Sequence, residues 1–267
     1  MKYKILCSDL DGTLLTTKSD VSNFTINEIK RIKEDIQIIL VSARMPKAMR
    51  YIQKDLNILE QPIICYNGAL ILKGNEEISS TIIPISCVEE IYSIAEKQQI
   101  KLGLYYNDEW YVETDSERVQ KEKKHTKTAP VFKKTKDTIL DWKTRKIGAH
   151  KIMLMGTKDT ADIVFKQLEE SLSKHINIYR SNDTLIEVSP KSVSKLSAIL
   201  QLLEEDYSLE EVISFGDNYN DMDMLEHTGY GVAVGNAREE TKKIAKEITL
   251  KNTEDGVAHY IKNNLFK

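Results

Sequence analysis

Two aspartates one residue apart, Asp9 and Asp11, close a short apolar run in KILCSDLDGTL, residues 4–14. Along a strand, residues i and i+2 point the same way, so both carboxylates share one side. Dry carboxylates that close need a cation or hydrogen-bond donors between them. Gly12 lets the chain turn sharply after them. A simple Asp-Gly turn is the plainer alternative, and the partners elsewhere in the chain decide. Three more apolar runs end in polar residues: residues 36–41 in Ser42-Ala43-Arg44, residues 62–66 in Asn67-Gly68, and residues 211–215 in Gly216-Asp217-Asn218-Tyr219-Asn220-Asp221. Carboxylates converging from such ends call for a hard cation, and an all-oxygen donor set points to Mg²⁺. One carboxylate can attack phosphorus and form an acyl phosphate. A second can protonate the leaving oxygen and then activate water. Ser42 offers a hydroxyl to phosphate, and Lys195 a point charge near a helix start, which itself favours anions. Taken singly, Ser42 is a strand-end serine, Lys195 part of a solvated helix face and Asn67-Gly68 a turn; their shared order along the chain argues for one site.

The elements that must position these residues alternate strand, helix, strand, helix, strand up to Tyr66, the opening of a doubly wound fold. In such sheets ligands sit outside the carboxyl ends of the strands. Helices are predicted at 22–34, at 46–56 with Pro46 in the first turn, from 192 to about Glu205, and at 256–265. Between 82 and 189 the pattern changes to helix and hairpin, then helix and hairpin, with turns at Asn107-Asp108 and Asn182-Asp183. That predicts one open antiparallel sheet with helices on one face. The expected fold class is α/β. It has a doubly wound, parallel-sheet, Rossmann-like core in two segments, 1–81 and 190–267, and an inserted α+β domain, 82–189.

The 267 residues suffice for one large domain or two ordinary ones, and 41% hydrophobic with 30% charged residues is a soluble globular composition. A net charge of -3 gives no push toward nucleic acid or membrane. Cys7, Cys65 and Cys87 are odd in number and lack CxxC spacing, which predicts reduced thiols and a cytoplasmic location. No signal peptide and no membrane-length apolar run is read from the chain. The five histidines show no metal-ligand spacing. Residues 118–151 hold twelve Lys/Arg against three acids. They are read as a solvated linker with snorkelling lysines, with attraction of an anionic substrate or partner as the alternative; no aromatic interleaving or reading motif points to nucleic acid.

Taken together, the set resembles the haloacid dehalogenase (HAD) superfamily of phosphohydrolases. DLDGTLL matches its DxDGT motif, Ser42 in VSAR its second motif, Lys195 its third-motif lysine, and GDNYND its GDxxND motif. The insert resembles the family's Cof-type α+β cap of the C2 kind, and YNGA and NTEDGVAHYI resemble the same subgroup. The resemblance covers nearly the whole chain. It implies Mg²⁺-dependent hydrolysis of a small phosphate monoester (a sugar phosphate, nucleotide or cofactor phosphate) through an aspartyl-phosphate. It makes Asp9 nucleophile and metal ligand, and Asp11 general acid/base with its carbonyl on the metal. Asp217 becomes the third protein ligand, and Asp221 holds the metal's outer shell. Ser42, Lys195, Asn220 and the backbone N–H groups of Leu10 and Ala43 hold the phosphoryl group; Arg44 and Asn67 approach the substrate. Two departures stand out: Ala43 replaces the usual Gly, and Leu196 follows Lys195 where Gly is frequent. A phosphomutase, or a non-catalytic sensor of a phosphorylated metabolite, are the rival readings; an intact aspartate pair speaks against the sensor.

Overall fold

A computed structural model of the chain describes residues 2–16, 20–203 and 207–265. It divides into two compact units, Met1–Ile78 with Ser194–Lys267, and Ser79–Val193. The chain runs β1 (Ile5–Asp9), α1 (Asn23–Ile32), β2 (Gln37–Val41), α2 (Lys47–Leu56), β3 (Pro62–Cys65), β4 (Leu70–Lys73) and β5 (Glu76–Ser80). It continues as α3 (Ile85–Lys97), β6 (Lys101–Tyr106), β7 (Glu109–Val112), α4 (Glu117–Thr126), β8 (Val131–Phe132), α5 (Thr135–Arg145), β9 (Lys151–Met155), α6 (Lys158–Leu172), β10 (Ile176–Asn182) and β11 (Leu185–Pro190). It closes with α7 (Lys195–Leu202), β12 (Val212–Gly216), α8 (Met222–His227), β13 (Tyr230–Ala233), α9 (Glu239–Ile244), β14 (Glu247–Ile248) and α10 (Gly256–Asn264).

In the first unit the strands lie in the order β14-β13-β12-β1-β2-β3-β4-β5. The pairs from β14 through β3 are parallel, and β4 joins β3 antiparallel. β1, β2 and β12 are apolar runs because both faces of a parallel sheet are covered. Ile5, Cys7, Ile39 and Val41 pack with Ala198 and Ile199 of α7 and Met224 of α8. The alternate residues Leu6, Ile38 and Leu40 are buried on the other face. The chain leaves β1 for β2 on one side and returns as β12 on the other. Strand order therefore reverses at β1, which puts a crevice at its carboxyl end. α1 starts where Ser22 Oγ accepts from Thr25 N at 3.0 Å, and Pro46 stands at the N-cap position of α2, one residue ahead of its first turn and without a side-chain cap bond. The end of α7 expected near Glu205 lies outside the described residues.

In the second unit the order is β10-β11-β9-β6-β7-β8, antiparallel except for the β7–β8 pair. Residues of α3, α5 and α6, among them Val88, Ile139, Trp142 and Leu168, pack with Leu102, Leu104, Ile152 and Val188 of the sheet. Both expected boundaries fall inside this unit. The unit starts at Ser79, ahead of 82, and the β10–β11 ladder runs on to Pro190, past 189. The basic stretch is not a linker. It forms α4, β8 and α5, it buries Val119, Ile139 and Trp142, and Lys133, Lys143 and Arg145 are in ion pairs. Cys7 and Cys65 are buried free thiols, and Cys87 is half-buried. Among the described residues, no helix is long and apolar enough to cross a membrane.

Candidate active site

β1 delivers Asp9 to the carboxyl edge of the first unit's sheet, where the residue is buried. Its Oδ1 accepts from Lys195 Nζ at 2.6 Å; its Oδ2 is buried with no hydrogen-bond partner among the described residues. Ser194 sets the lysine. Its Oγ accepts from Ser197 N at 3.1 Å, so α7 begins at Lys195. The buried ammonium also donates to Asp221 Oδ1 at 2.6 Å. Asp221 Oδ2 accepts from the backbone N–H groups of Asp217 and Asn218, both at 3.0 Å. Both oxygens of Asp221 are thus engaged by protein. Gly216 allows this closeness, since a Cβ there would lie 2.5 Å from that of Asp221.

Asp217 Oδ1 accepts from Thr13 Oγ1 at 3.2 Å. Gly12 has φ of 90°, and a Cβ on it would lie 2.6 Å from Asp217 Oδ2, so only glycine fits this turn. Asp9, Asp217 and Asp221 each bring a carboxylate oxygen within 4.8 Å of the others. Burial, with the neighbouring carboxylates and against the pull of Lys195, pushes Asp9 well above the usual carboxylate range. Burial and Asp221 push Asp217 up to about 6. Burial opposes the Lys195 charge, but Asp221 and Asp9 outweigh it and hold the ammonium protonated. One ammonium among three carboxylates leaves negative charge uncompensated. The orphaned Asp9 Oδ2 and the all-oxygen donor set fit a hard divalent cation.

Asp11 lies apart from that cluster. Arg44, buried after β2, grips it with two bonds, Nε to Oδ2 at 2.7 Å and Nη2 to Oδ1 at 2.8 Å. Arg44 also donates to Tyr51 Oη at 3.0 Å and to the Ala48 carbonyl at 3.3 Å. Burial works against the guanidinium charge, and Asp11 more than restores it. The Arg44 backbone N–H donates to Ser42 Oγ at 3.2 Å. Tyr66 and Asn67 both adopt left-handed φ, 53° and 55°, a conformation that costs a non-glycine residue about 1–3 kcal/mol. Their N–H groups donate to the carbonyls of Arg44 and Ser42 at 3.2 and 2.9 Å, which holds the bend. Asn220 Nδ2 then donates to Asn67 Oδ1 at 3.1 Å. The Leu10 carbonyl accepts from Thr13 N and Leu15 N. Ala43 has no left-handed φ, so glycine is not required there.

The structure therefore joins Asp9, Asp217, Asp221 and Lys195 directly, and it joins Ser42, Asn67 and Asn220 through the Tyr66–Asn67 bend. It pairs Asp11 with Arg44 outside the three-carboxylate cluster. The sequence reading missed Thr13 and Tyr51. Thr13 was within reach of it, since it stands in the same DGT turn.

The chain matches the haloacid dehalogenase-like hydrolase family model over residues 6–261. A Haemophilus influenzae protein named "Putative phosphatase" is 36% identical over 264 residues, 97% of each chain. The 5-amino-6-(5-phospho-D-ribitylamino)uracil phosphatase YitU of Bacillus subtilis is 27% identical, over 98% of this chain and 97% of its own. The solved haloacid dehalogenase-like hydrolase from Bacteroides thetaiotaomicron superposes with a TM-score of 0.88 at 31% identity, over 97% of this chain and 98% of that one. With this match running from β1 into α10, the chain belongs to the haloacid dehalogenase-like hydrolases and is a phosphatase among them.

Proposed function

We propose that the protein is a Mg²⁺-dependent phosphohydrolase that cleaves a small phosphate monoester through an aspartyl-phosphate on Asp9. The observation that carries this reading is Asp9 Oδ2, a buried carboxylate oxygen without a hydrogen-bond partner among the described residues, beside a buried ammonium and two further carboxylates. Asp9 attacks phosphorus, and the bond to the leaving oxygen breaks. Asp11, protonated and turned from Arg44, gives that oxygen its proton; then, as the carboxylate that Arg44 grips, it takes one from a water, which restores its proton. The water attacks the phosphoryl group, which releases phosphate and restores Asp9. Lys195, Ser42, Asn220 and the backbone N–H groups of Leu10 and Ala43 hold the phosphoryl oxygens, so positioning and fixed charge do most of the work. Arg44 orients the Asp11 carboxylate. Asp9, Asp217 and the Asp11 carbonyl would hold the cation, and Asp221 its outer shell. When bound, the ion supplies positive charge that offsets the carboxylates and the phosphoryl group. The second unit, 79–193, selects the leaving group. The phosphorylated ribitylamino compound in the Bacillus relative's name supports a small phosphorylated metabolite as substrate.

Asp9→Asn tests the assignment. Phosphate release from an aryl phosphate with Mg²⁺ is expected to fall about 10⁴-fold or more, while circular dichroism stays unchanged. Activity near that of the unaltered chain would remove Asp9 as nucleophile.

A further inference from the structure

The segment after β13, Gly235-Asn236-Ala237-Arg238, carries no part of the chemistry above, yet it touches both loops that do. β12 lies between β13 and β1 in the sheet, so Asn236 reaches across the end of β12. Its Nδ2 donates to the Gly12 carbonyl at 2.8 Å. Its Oδ1 accepts from Asn252 N at 2.8 Å, which turns the amide so that its donor faces Gly12. The Asn252 side chain in turn donates to the Leu15 carbonyl at 2.8 Å. The two asparagines thereby bracket the turn that follows Asp11. On the other side, Arg238 N donates to the Asp217 carbonyl at 2.9 Å and Arg238 Nε to Asn218 Oδ1 at 2.8 Å. Its guanidinium lies 4.6 Å from the centre of the Tyr219 ring.

We propose that Asn236 and Arg238 are positioning residues: they brace the loop after β1 against the loop after β12 and so set the affinity for the divalent cation. The spacing is tight, because a Cβ on Gly12 would lie 2.6 Å from Asp217 Oδ2 and Thr13 bonds to that carboxylate. Mg²⁺ demands near-ideal octahedral oxygen geometry, so small changes in loop spacing act directly on its binding. This inference rests on the metal reading of the same site.

The test is calorimetric titration of Mg²⁺ into the full chain, with Tm measured without the ion. Asn236→Ala and Arg238→Ala are each expected to weaken Mg²⁺ binding about fivefold, the effect of one lost hydrogen bond. Tm is expected to stay within about 3 °C. Asn252→Ala should weaken binding less, and combined with Asn236→Ala should lose less than the product of the two, because the residues act as one chain. A purely structural role would lower Tm and leave ion affinity unchanged. If Asn236→Ala does not fold, Arg238→Ala carries the test alone. Unchanged affinity in folded variants of a chain that binds Mg²⁺ overturns the brace and spares the metal reading. No binding by the unaltered chain removes both.

Discussion

At the carboxyl edge of β1 the first unit encloses three carboxylates and one ammonium, whereas the second unit encloses an imidazole that carries no charge. His150 is fully buried. Its Nδ1 accepts from Asn107 N at 3.0 Å, so Nε2 holds the proton and donates to Ser80 Oγ at 2.9 Å. Its ring stacks on Tyr106 with centroids 5.1 Å apart. Burial lowers its pKa to about 4, so near neutral pH it is an uncharged polar group with both nitrogens bonded. Such a group costs little to bury. Asp217, pushed up to about 6, is the reverse: it stays under electrostatic load. The difference separates scaffold from site. A scaffold neutralises what it buries, while a site for an anion and a cation keeps uncompensated charge ready for them.

The largest break in this contrast comes from Lys195→Met. It leaves Asp9 and Asp221 buried without their counterion, and loss of one partner of a buried pair costs about 3–5 kcal/mol. Urea unfolding of the cation-free chain should show that loss, and Mg²⁺ should recover part of it. His150→Gln in the second unit is expected to cost less than half as much.

Acid titration of the cation-free chain sharpens the contrast, because the two centres have opposite signs. Folded Asp217 keeps a proton up to about pH 6, while its ordinary value is 3.8. The folded state holds the extra proton in that window, so this stabilisation is lost as pH rises through it, by about 2–3 kcal/mol. For His150 the unfolded chain takes up its proton below 6.5 and the folded chain only below about 4. Stability is therefore lost as pH falls through that window, by a similar amount. Asp217→Asn should flatten the decline toward neutral pH without abolishing it, because Asp9 keeps a raised pKa of its own. His150→Gln should leave one that declines toward neutral pH. Chemical denaturation at several pH values reads both slopes, and equal curves for the two variants would erase the distinction.

A smaller effect is expected from Arg44→Lys. Lysine keeps the charge but cannot grip Asp11 with two parallel bonds. The kcat should fall about tenfold with KM nearly unchanged, since the guanidinium acts through Asp11. A rise in KM alone would instead place Arg44 on the substrate.

Much of the site was legible because a parallel sheet gathers the ends of its strands. Asp9, Asp217, Asp221 and Lys195 needed only their places at strand ends and a helix start to be brought together. The Arg44–Asp11 pair was hidden. It depends on where α2 puts Tyr51 and on how a long side chain folds back, and spacing encodes neither. α5 had its signal in Thr135, Thr138, Ile139 and Trp142, all buried on one helix face. The many lysines around them drowned that stripe in charge. The unit limits at Ser79 and Val193 lie a few residues outside those read at 82 and 189, because contacts such as the Ile176–Pro190 pairing are long-range and leave no local mark.

The central claim is that Asp9 takes the phosphoryl group, and it can be read on the protein itself. Asp11→Asn should slow breakdown of the acyl phosphate more than its formation. The variant is incubated with Mg²⁺ and a phosphorylated substrate, quenched in acid and mapped by peptide mass spectrometry. Phosphoryl mass on the peptide that contains Asp9, absent when Asp9→Asn is added to the same chain, is the expected result. Continued phosphate release with no phosphorylated Asp9 peptide would contradict it, and would mean that water attacks phosphorus directly.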